Sequence, residues 1–254
     1  MTESVSRNIE VFSLREKADA EPAADAVING KITMLRVGPV FSLAFNPKVA
    51  GLADKLVFLK ERGRAQYFSL VCTYGQALRF VDRKRVNEDF FRLSEYICGR
   101  VLVRIPVDTA QELPFPYNSE NGTVQFLDFK RTHPIRSAFV ETLARKGCEY
   151  LAITSGNIHG APTIEDVESA KMLAVVFNVK AEFLGMSGAE TVVTDIPGDN
   201  GIAQKGSYTI LSFCNPAAVE VKRLTNNADR DFTEKYLKEL LADVKFKTPL
   251  VYAL

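Results

Sequence analysis

Residues 149–163 read EYLAITSGNIHGAPT, an apolar run that passes into a polar, glycine-punctuated loop. The short stretch of aromatic, aliphatic and β-branched residues bounded by turn formers predicts a buried strand over 149–155. That strand delivers Thr154, Ser155 and Asn157 to a turn built on Gly156 and Gly160. Hydroxyl and amide groups beside freed backbone N–H groups are a good place to hold phosphate or carboxylate oxygens. The same residues equally make an ordinary Asn/Gly turn in which both side chains only cap the backbone. Thr163 stands where it can cap a helix beginning IEDVESAKML.

Working outward, strands and helices mix without strict alternation. A helix is predicted from about Pro22 to Asn29, with Gly30 beyond its end. Residues 31–35 and 39–45 read as a strand and its continuation. Asn46-Pro47 then opens a helix that ends near Lys60, with Val49, Leu52, Leu56 and Leu59 at helical spacing. Strand patterns follow at 67–73, 100–105 and 123–129, with helical segments at 75–81 and 86–97 and a loop at 107–122 marked by Leu-Pro, Phe-Pro and Asn-Gly. His133-Pro134 precedes a helix carrying Ile135, Phe139 and Leu143 on one face. Strands near 190–195, 207–213 and 218–223 and a helix at about 229–243 complete the order. This pattern predicts an α/β fold with an open, mixed sheet flanked by helices. Residues 1–20 read as an N-terminal arm, loosely held or strand-forming, 21–245 as the domain and 246–254 as a tail.

A second feature lies at the end of the helix before residue 60. Lys60-Glu61-Arg62-Gly63-Arg64 places three cations where a helix dipole favours positive charge. Such a run is either a solvated helix terminus or a phosphate clamp, with lysine as a point charge and arginine as a fork.

The chain has 254 residues, with 32 Lys and Arg against 31 Asp and Glu. A formal charge of +1 argues against bulk-charge coating of nucleic acid. The clusters Arg83-Lys84-Arg85, Lys130-Arg131 and Lys222-Arg223 could still form a local basic face or be solvated surface. Cys72, Cys98, Cys148 and Cys214 form no Cys-x-x-Cys pair and read as buried free thiols of a reducing compartment. With only His133 and His159 there is no zinc-type ligand pattern, and no metal ligand is assigned. The first residues do not read as a signal peptide, and no apolar run approaches the ~20 residues of a membrane span. These features predict a cytoplasmic protein without a membrane partner.

Taken in order, the motifs resemble the YrdC-like family, which includes the threonylcarbamoyl-AMP synthases. That family carries Lys-x-Arg after its second helix, here Lys60-Glu61-Arg62, and a loop written TSANxSGxP, here Thr154 to Pro162. Gly30-Lys31-Ile32 resembles its opening Gly-Gly-Val, and Val40-Phe41-Ser42-Leu43 its VYGL segment. Ile97 to Val101 looks like its Pro-Gly-Pro-Leu-Thr strand, and His133-Pro134 like the His-Pro before its next helix. The resemblance covers roughly residues 20 to 240. It implies a YrdC-like sheet with a concave anion-binding surface. The chemistry it implies joins ATP, with Mg, to bicarbonate and an amino-acid-like acceptor, giving an acyl-adenylate and pyrophosphate for tRNA modification. Lys60 and Arg62 are then the catalytic candidates that neutralise phosphate charge. Thr154, Ser155, Asn157 and Thr209 bind substrate or nucleotide, and His159 is placed to tune the loop.

Three departures are visible. The family's Pro-Thr-Asp-Thr, which helps to hold the amino acid, is here Arg36-Val37-Gly38-Pro39; Arg36 is the candidate to grip a carboxylate instead. The family's Arg-x-Pro strand, written RvP, is Phe126-Leu127-Asp128-Phe129. Its late Ser-Thr-Val-Val-Asp-Leu strand is Tyr208 to Phe213, keeping Thr209 and losing the Ser and Asp. The alternative is a non-catalytic module that kept the anion site and binds a nucleotide, or tRNA or double-stranded RNA. In an unrelated α/β protein, Lys60, Arg62, Ser155 and Asn157 would not converge.

Overall fold

A computed structural model describes residues 8–60, 68–130, 133–158, 161–186, 190–197, 208–224 and 230–253. Among them, eleven strands form one open, mixed sheet. In chain order the strands are β1 (Val11–Ser13), β2 (Ile32–Val37), β3 (Val40–Phe45), β4 (Ser69–Val71), β5 (Leu102–Pro106), β6 (Thr123–Leu127), β7 (Leu151–Ser155), β8 (Thr191–Asp195), β9 (Ile210–Asn215), β10 (Ala218–Arg223) and β11 (Leu250–Tyr252). Across the sheet they lie in the order β1-β8-β2-β3-β7-β4-β6-β5-β9-β10-β11. The segments assigned as arm and tail supply the two edge strands: β1 lies parallel to β8, and β11 parallel to β10.

The helices are α1 (Ala20–Ile28), α2 (Leu52–Leu59), α3 (Tyr74–Phe80), α4 (Glu95–Cys98), α5 (Pro134–Arg145), α6 (Val167–Phe183) and α7 (Arg230–Leu240). They divide unequally between the two faces. Residues of α2, α3, α4, α6 and α7 pack with Phe45, Leu70, Val103, Phe126, Leu211 and Phe213 in the larger core. On the opposite face only α1 and α5 contribute, through Ala23, Ala24, Val27, Phe139 and Leu143 against Leu35, Ala44 and Ile153. A sheet with apolar residues on both faces needs cover on both. Here the second face is covered in part, and the remainder is the floor of a cavity.

Local chemistry corrects three expectations. Residues 39–45 do not continue β2 but reverse as β3, because Gly38 takes φ +64° in a two-residue turn and Val37 pairs with Val40. Asn46 does not cap α2; its side-chain oxygen accepts from the Lys48 N–H at 3.1 Å in a local turn, and the helix starts beyond Gly51. Thr163 does not cap α6 either. Asp166 does, its carboxylate accepting from the Ser169 N–H at 2.8 Å.

Candidate functional site

Strand β7 runs antiparallel between β3 and β4, with Ser155 opposite Ser42 and Ile153 opposite Ser69. The loop beyond it is fastened at both ends to one residue of β3. The Gly156 N–H donates to the Phe41 carbonyl at 3.0 Å, and the Phe41 N–H donates to the Ile164 carbonyl at 2.7 Å. Gly156 has no room for a side chain: a Cβ there would lie 2.9 Å from the Phe41 carbonyl carbon, closer still to its oxygen, and 3.1 Å from the Met34 methyl. Within the loop the Asn157 amide donates to the Ala161 carbonyl and closes the turn.

Lys60 caps the C-terminus of α2, and its side chain is only 1% exposed. Its ammonium donates to the Ser155 carbonyl, to the Ser155 hydroxyl at 3.2 Å and to Thr154 Oγ1 at 3.5 Å. Buried charge of this kind is retained where hydrogen bonds satisfy it. Lys180 of α6 adds a second cation at the same helix end, donating to the Leu59 carbonyl at 3.1 Å. Lys60, Thr154 and Ser155 therefore come together, while the Asn157 amide is turned to Ala161 of its own loop. Arg62, His159 and Gly160 lie outside the described residues.

Thr154 and Ser155 line a cavity of about 410 Å³ on the thinly covered face of the sheet. That volume lies in the range of small-molecule sites. Its other polar lining comes from Ser42, Ser69, Arg104, Gln125, Thr163, Tyr208 and Arg223, with Phe41, Leu102, Leu127 and Ile210 as apolar floor and wall. The described lining holds two guanidinium groups and no carboxylate. Arg223 is fixed by two donations to the Tyr208 carbonyl, at 3.1 Å from Nε and 2.8 Å from Nη2. Burial, and then the charge of Arg104, pull its pKa below the usual arginine value. Two like charges facing one cavity make a place that favours an anion.

Four candidates are not among the lining residues: Lys60 and Asn157 contact Ser155 and Ala161, and Thr209 and Arg36 stand elsewhere. Thr209 is buried, but its neighbours Tyr208 and Ile210 are the residues that line the cavity. Side chains alternate along a strand, so Thr209 falls with Leu211 and Phe213 on the other face. Arg36 is not among the lining residues. Its Nε donates to Asp195 at 2.5 Å, Nη1 donates to the Glu165 carbonyl at 3.3 Å, and its guanidinium lies 4.5 Å from the Phe41 ring centre. It braces the wall of the cavity instead of entering it.

No known family pattern and no curated relative matches the sequence. Solved structures do match in backbone. P. abyssi Sua5 complexed with L-threonine superposes with a TM-score of 0.65 at 14% identity, covering 95% of this chain and 62% of that one. E. coli YciO gives 0.59 at 13% identity, covering 88% and 97%. T. kodakarensis HypF gives 0.58 at 16% identity, covering 80% of this chain and 24% of that one. This chain thus spans less than two thirds of the Sua5 length. The fold is that of the YrdC-like proteins.

Within the YrdC-like fold, β6 is the strand equated above with the family's Arg-x-Pro segment. It gives Gln125 and Leu127 to the cavity, neither of them charged. The guanidinium at this level comes from the neighbouring strand, where Arg104 of β5 is registered against Gln125. Sequence reading missed Arg104, Arg223, Gln125 and Tyr208. A signal was present for Arg104, because a cation inside the apolar run Leu102-Val103-Arg104-Ile105 is out of place unless the strand faces a polar site. Asp128 points away from the cavity and is fully buried; burial pushes its carboxyl up to about 6, against the opposing pull of backbone N–H donors Tyr74 and Lys130. Its neighbours Cys72 and Cys98 are buried free thiols whose pKa values burial also raises. No helix among the described residues is long and apolar enough to cross a membrane.

Proposed function

We propose that the cavity binds ATP and an amino-acid-like acceptor and that the chain makes a carbamoyl-adenylate from them. The observation that carries this reading is a cavity lined by Ser155, Arg104 and Arg223, with the buried Lys60 ammonium, itself not a lining residue, donating to the Ser155 hydroxyl at 3.2 Å. In the reaction, the acceptor amine condenses with bicarbonate to a carbamate and releases water. A carbamate oxygen then attacks the α-phosphorus, the α–β bridging P–O bond breaks, and pyrophosphate leaves with that electron pair. No protein atom forms a covalent bond. The protein's contribution is alignment of the carbamate with the α-phosphate and neutralisation of phosphoryl charge. Lys60, with Arg62 beside it in sequence, would meet phosphate oxygens; Ser155 and Asn157 would orient them.

Mg would arrive with the triphosphate: the described lining offers no carboxylate, and no cluster of His, Cys, Asp or Glu among the described residues could hold a metal. Arg104 would take the acceptor carboxylate in place of the absent Pro-Thr-Asp-Thr segment. The Sua5 neighbour complexed with L-threonine makes threonine the first acceptor to try. The product, an activated acyl group, suits transfer to an adenosine of tRNA in the cytoplasm. The basic clusters give the RNA-binding alternative little support, since Lys222 pairs with Glu220 at 2.8 Å and Arg85 donates to the Asn121 carbonyl.

The test is pyrophosphate release from ATP and bicarbonate, with and without L-threonine and other amino acids, in wild type, Lys60→Met and Asn157→Ala. Acceptor-dependent release lost in both variants supports the reading. ATP binding through Lys60 without any release leaves a nucleotide-binding module, and no binding removes the site.

A further inference from the structure

Helix α6 is apolar on two faces. One face, Ala170, Leu173, Ala174, Phe177 and Ala181, is buried in the larger core. The other carries Met172, Val176, Val179 and Phe183, which are 71, 49, 47 and 88% exposed. The face opposite the core of such a helix is normally polar, so a second apolar face calls for cover of its own. Exposed Phe58 of α2 flanks the patch across Lys180, whose ammonium lies 6.0 Å from the Phe58 ring centre, and exposed Leu184 follows the end of the helix. At about 150–200 Å² for a fully exposed large apolar side chain, these six residues present on the order of 600 Å². That is as large as the biggest patches on ordinary monomers. Two such patches face to face reach about 1,200 Å², the lower bound for a specific interface.

The spacing along α6 indicates what covers it. The intervals from Met172 to Val176, Val179 and Phe183 are four, three and four residues, the same read in either direction. A surface with that symmetry is complementary to itself about a two-fold axis, the condition for an isologous dimer. We propose that α6 docks antiparallel against α6 of a second copy of this chain, with the axis between Phe177 and Asn178. Met172 then meets the second copy's Phe183, and Val176 meets its Val179. No like charges are opposed: Lys171 falls against Leu184, and Lys180 against Val175. The cavity lies on the other face of the sheet, so both copies keep it open.

Sedimentation velocity of the full chain, from low micromolar to near-millimolar concentration, tests this arrangement. A reversible monomer–dimer equilibrium is expected. Val176→Glu and Val179→Lys, each at an exposed position, should weaken association tenfold or more while leaving thermal unfolding unchanged. Combining the two in one chain should restore the dimer, because each Glu then meets a Lys across the axis. A monomer at every concentration overturns the proposal, as does a dimer indifferent to the single substitutions or one that the double substitution does not restore.

Discussion

The backbone of Gly156 lies so close to Phe41 that a Cβ at residue 156 would stand 2.9 Å from the Phe41 carbonyl carbon. The same pair is joined by the hydrogen bond that anchors the loop, Gly156 N–H to Phe41 carbonyl at 3.0 Å. The position is therefore glycine because two strands meet there and not because of a turn. The family pattern has alanine at this point.

Gly156→Ala, although a change towards that pattern, should consequently be harmful. Overpacking of this kind costs about 1–3 kcal/mol, read as a lowered unfolding temperature. The loop must also move off Phe41, which carries Ser155 away from Lys60, so ATP affinity measured by calorimetry should fall with stability. A variant that unfolds like wild type and binds ATP equally well would show that the close approach does not hold the loop.

Lys60 separates binding from stability. Lys60→Ala removes both the charge and the packed stem, and leaves the Ser155 oxygens short of a donor; a loss of about 2–4 kcal/mol is expected. Lys60→Met keeps the stem and loses only the ammonium, so most of the packing should survive. If the ammonium serves phosphate, the two variants should lose ATP affinity alike, tenfold or more, while differing in unfolding temperature. Equal ATP binding in Lys60→Met and wild type would assign the lysine a purely structural role.

Why Lys60 and the 153–163 loop were legible in the sequence while half the cavity was not is a matter of range. Helix ends, glycine turns and the Ser–Asn spacing are local, and they show within a few residues. Arg104 and Arg223 lie far apart in sequence and face one cavity only because β9 pairs with both β5 and β10. Thr209 shows a narrower point. The resemblance implies its place in the site, but side chains alternate along the chain, and Tyr208 and Ile210 are the residues that face the cavity. The edge strand β11 was hidden for the same reason as the arginines, since its pairing with β10 is not local in sequence, whereas β1 falls in the arm read as loosely held or strand-forming.

Arg104 and Arg223 should respond oppositely to removal. Arg104→Gln relieves the repulsion that helps to depress the Arg223 pKa, so stability should hold or rise slightly. Arg223→Gln forfeits both donations to the Tyr208 carbonyl and should cost about 1–3 kcal/mol. Both should weaken binding of an anion such as pyrophosphate, by roughly tenfold, or about 1.4 kcal/mol, for one charge-assisted contact. Calorimetric titration of pyrophosphate beside thermal unfolding checks the pattern. Unchanged pyrophosphate affinity in both variants would remove the arginines from the site.

Asp128 sets a pH dependence of unusual sign. Its folded pKa, about 6, lies above the ~3.9 of an unfolded aspartate, chiefly because the carboxyl is buried. Between those values the folded state holds the proton that the unfolded state has lost. Stability from this group is thus fully present below about pH 4 and declines as pH rises through about 6, by on the order of 2–3 kcal/mol. Carboxyls held low work in the opposite direction, Asp166 through the Ser169 hydroxyl among them, so total stability hides the effect. The difference between wild type and Asp128→Asn exposes it. Both carboxylate oxygens accept backbone N–H donors, from Tyr74 and Lys130, each at 2.8 Å. The amide can accept only one, which lowers stability by a constant amount at every pH. Against that offset, denaturant unfolding from pH 4 to pH 7 should show wild type losing stability relative to Asp128→Asn. Parallel curves would mean that the buried carboxyl is ionised throughout.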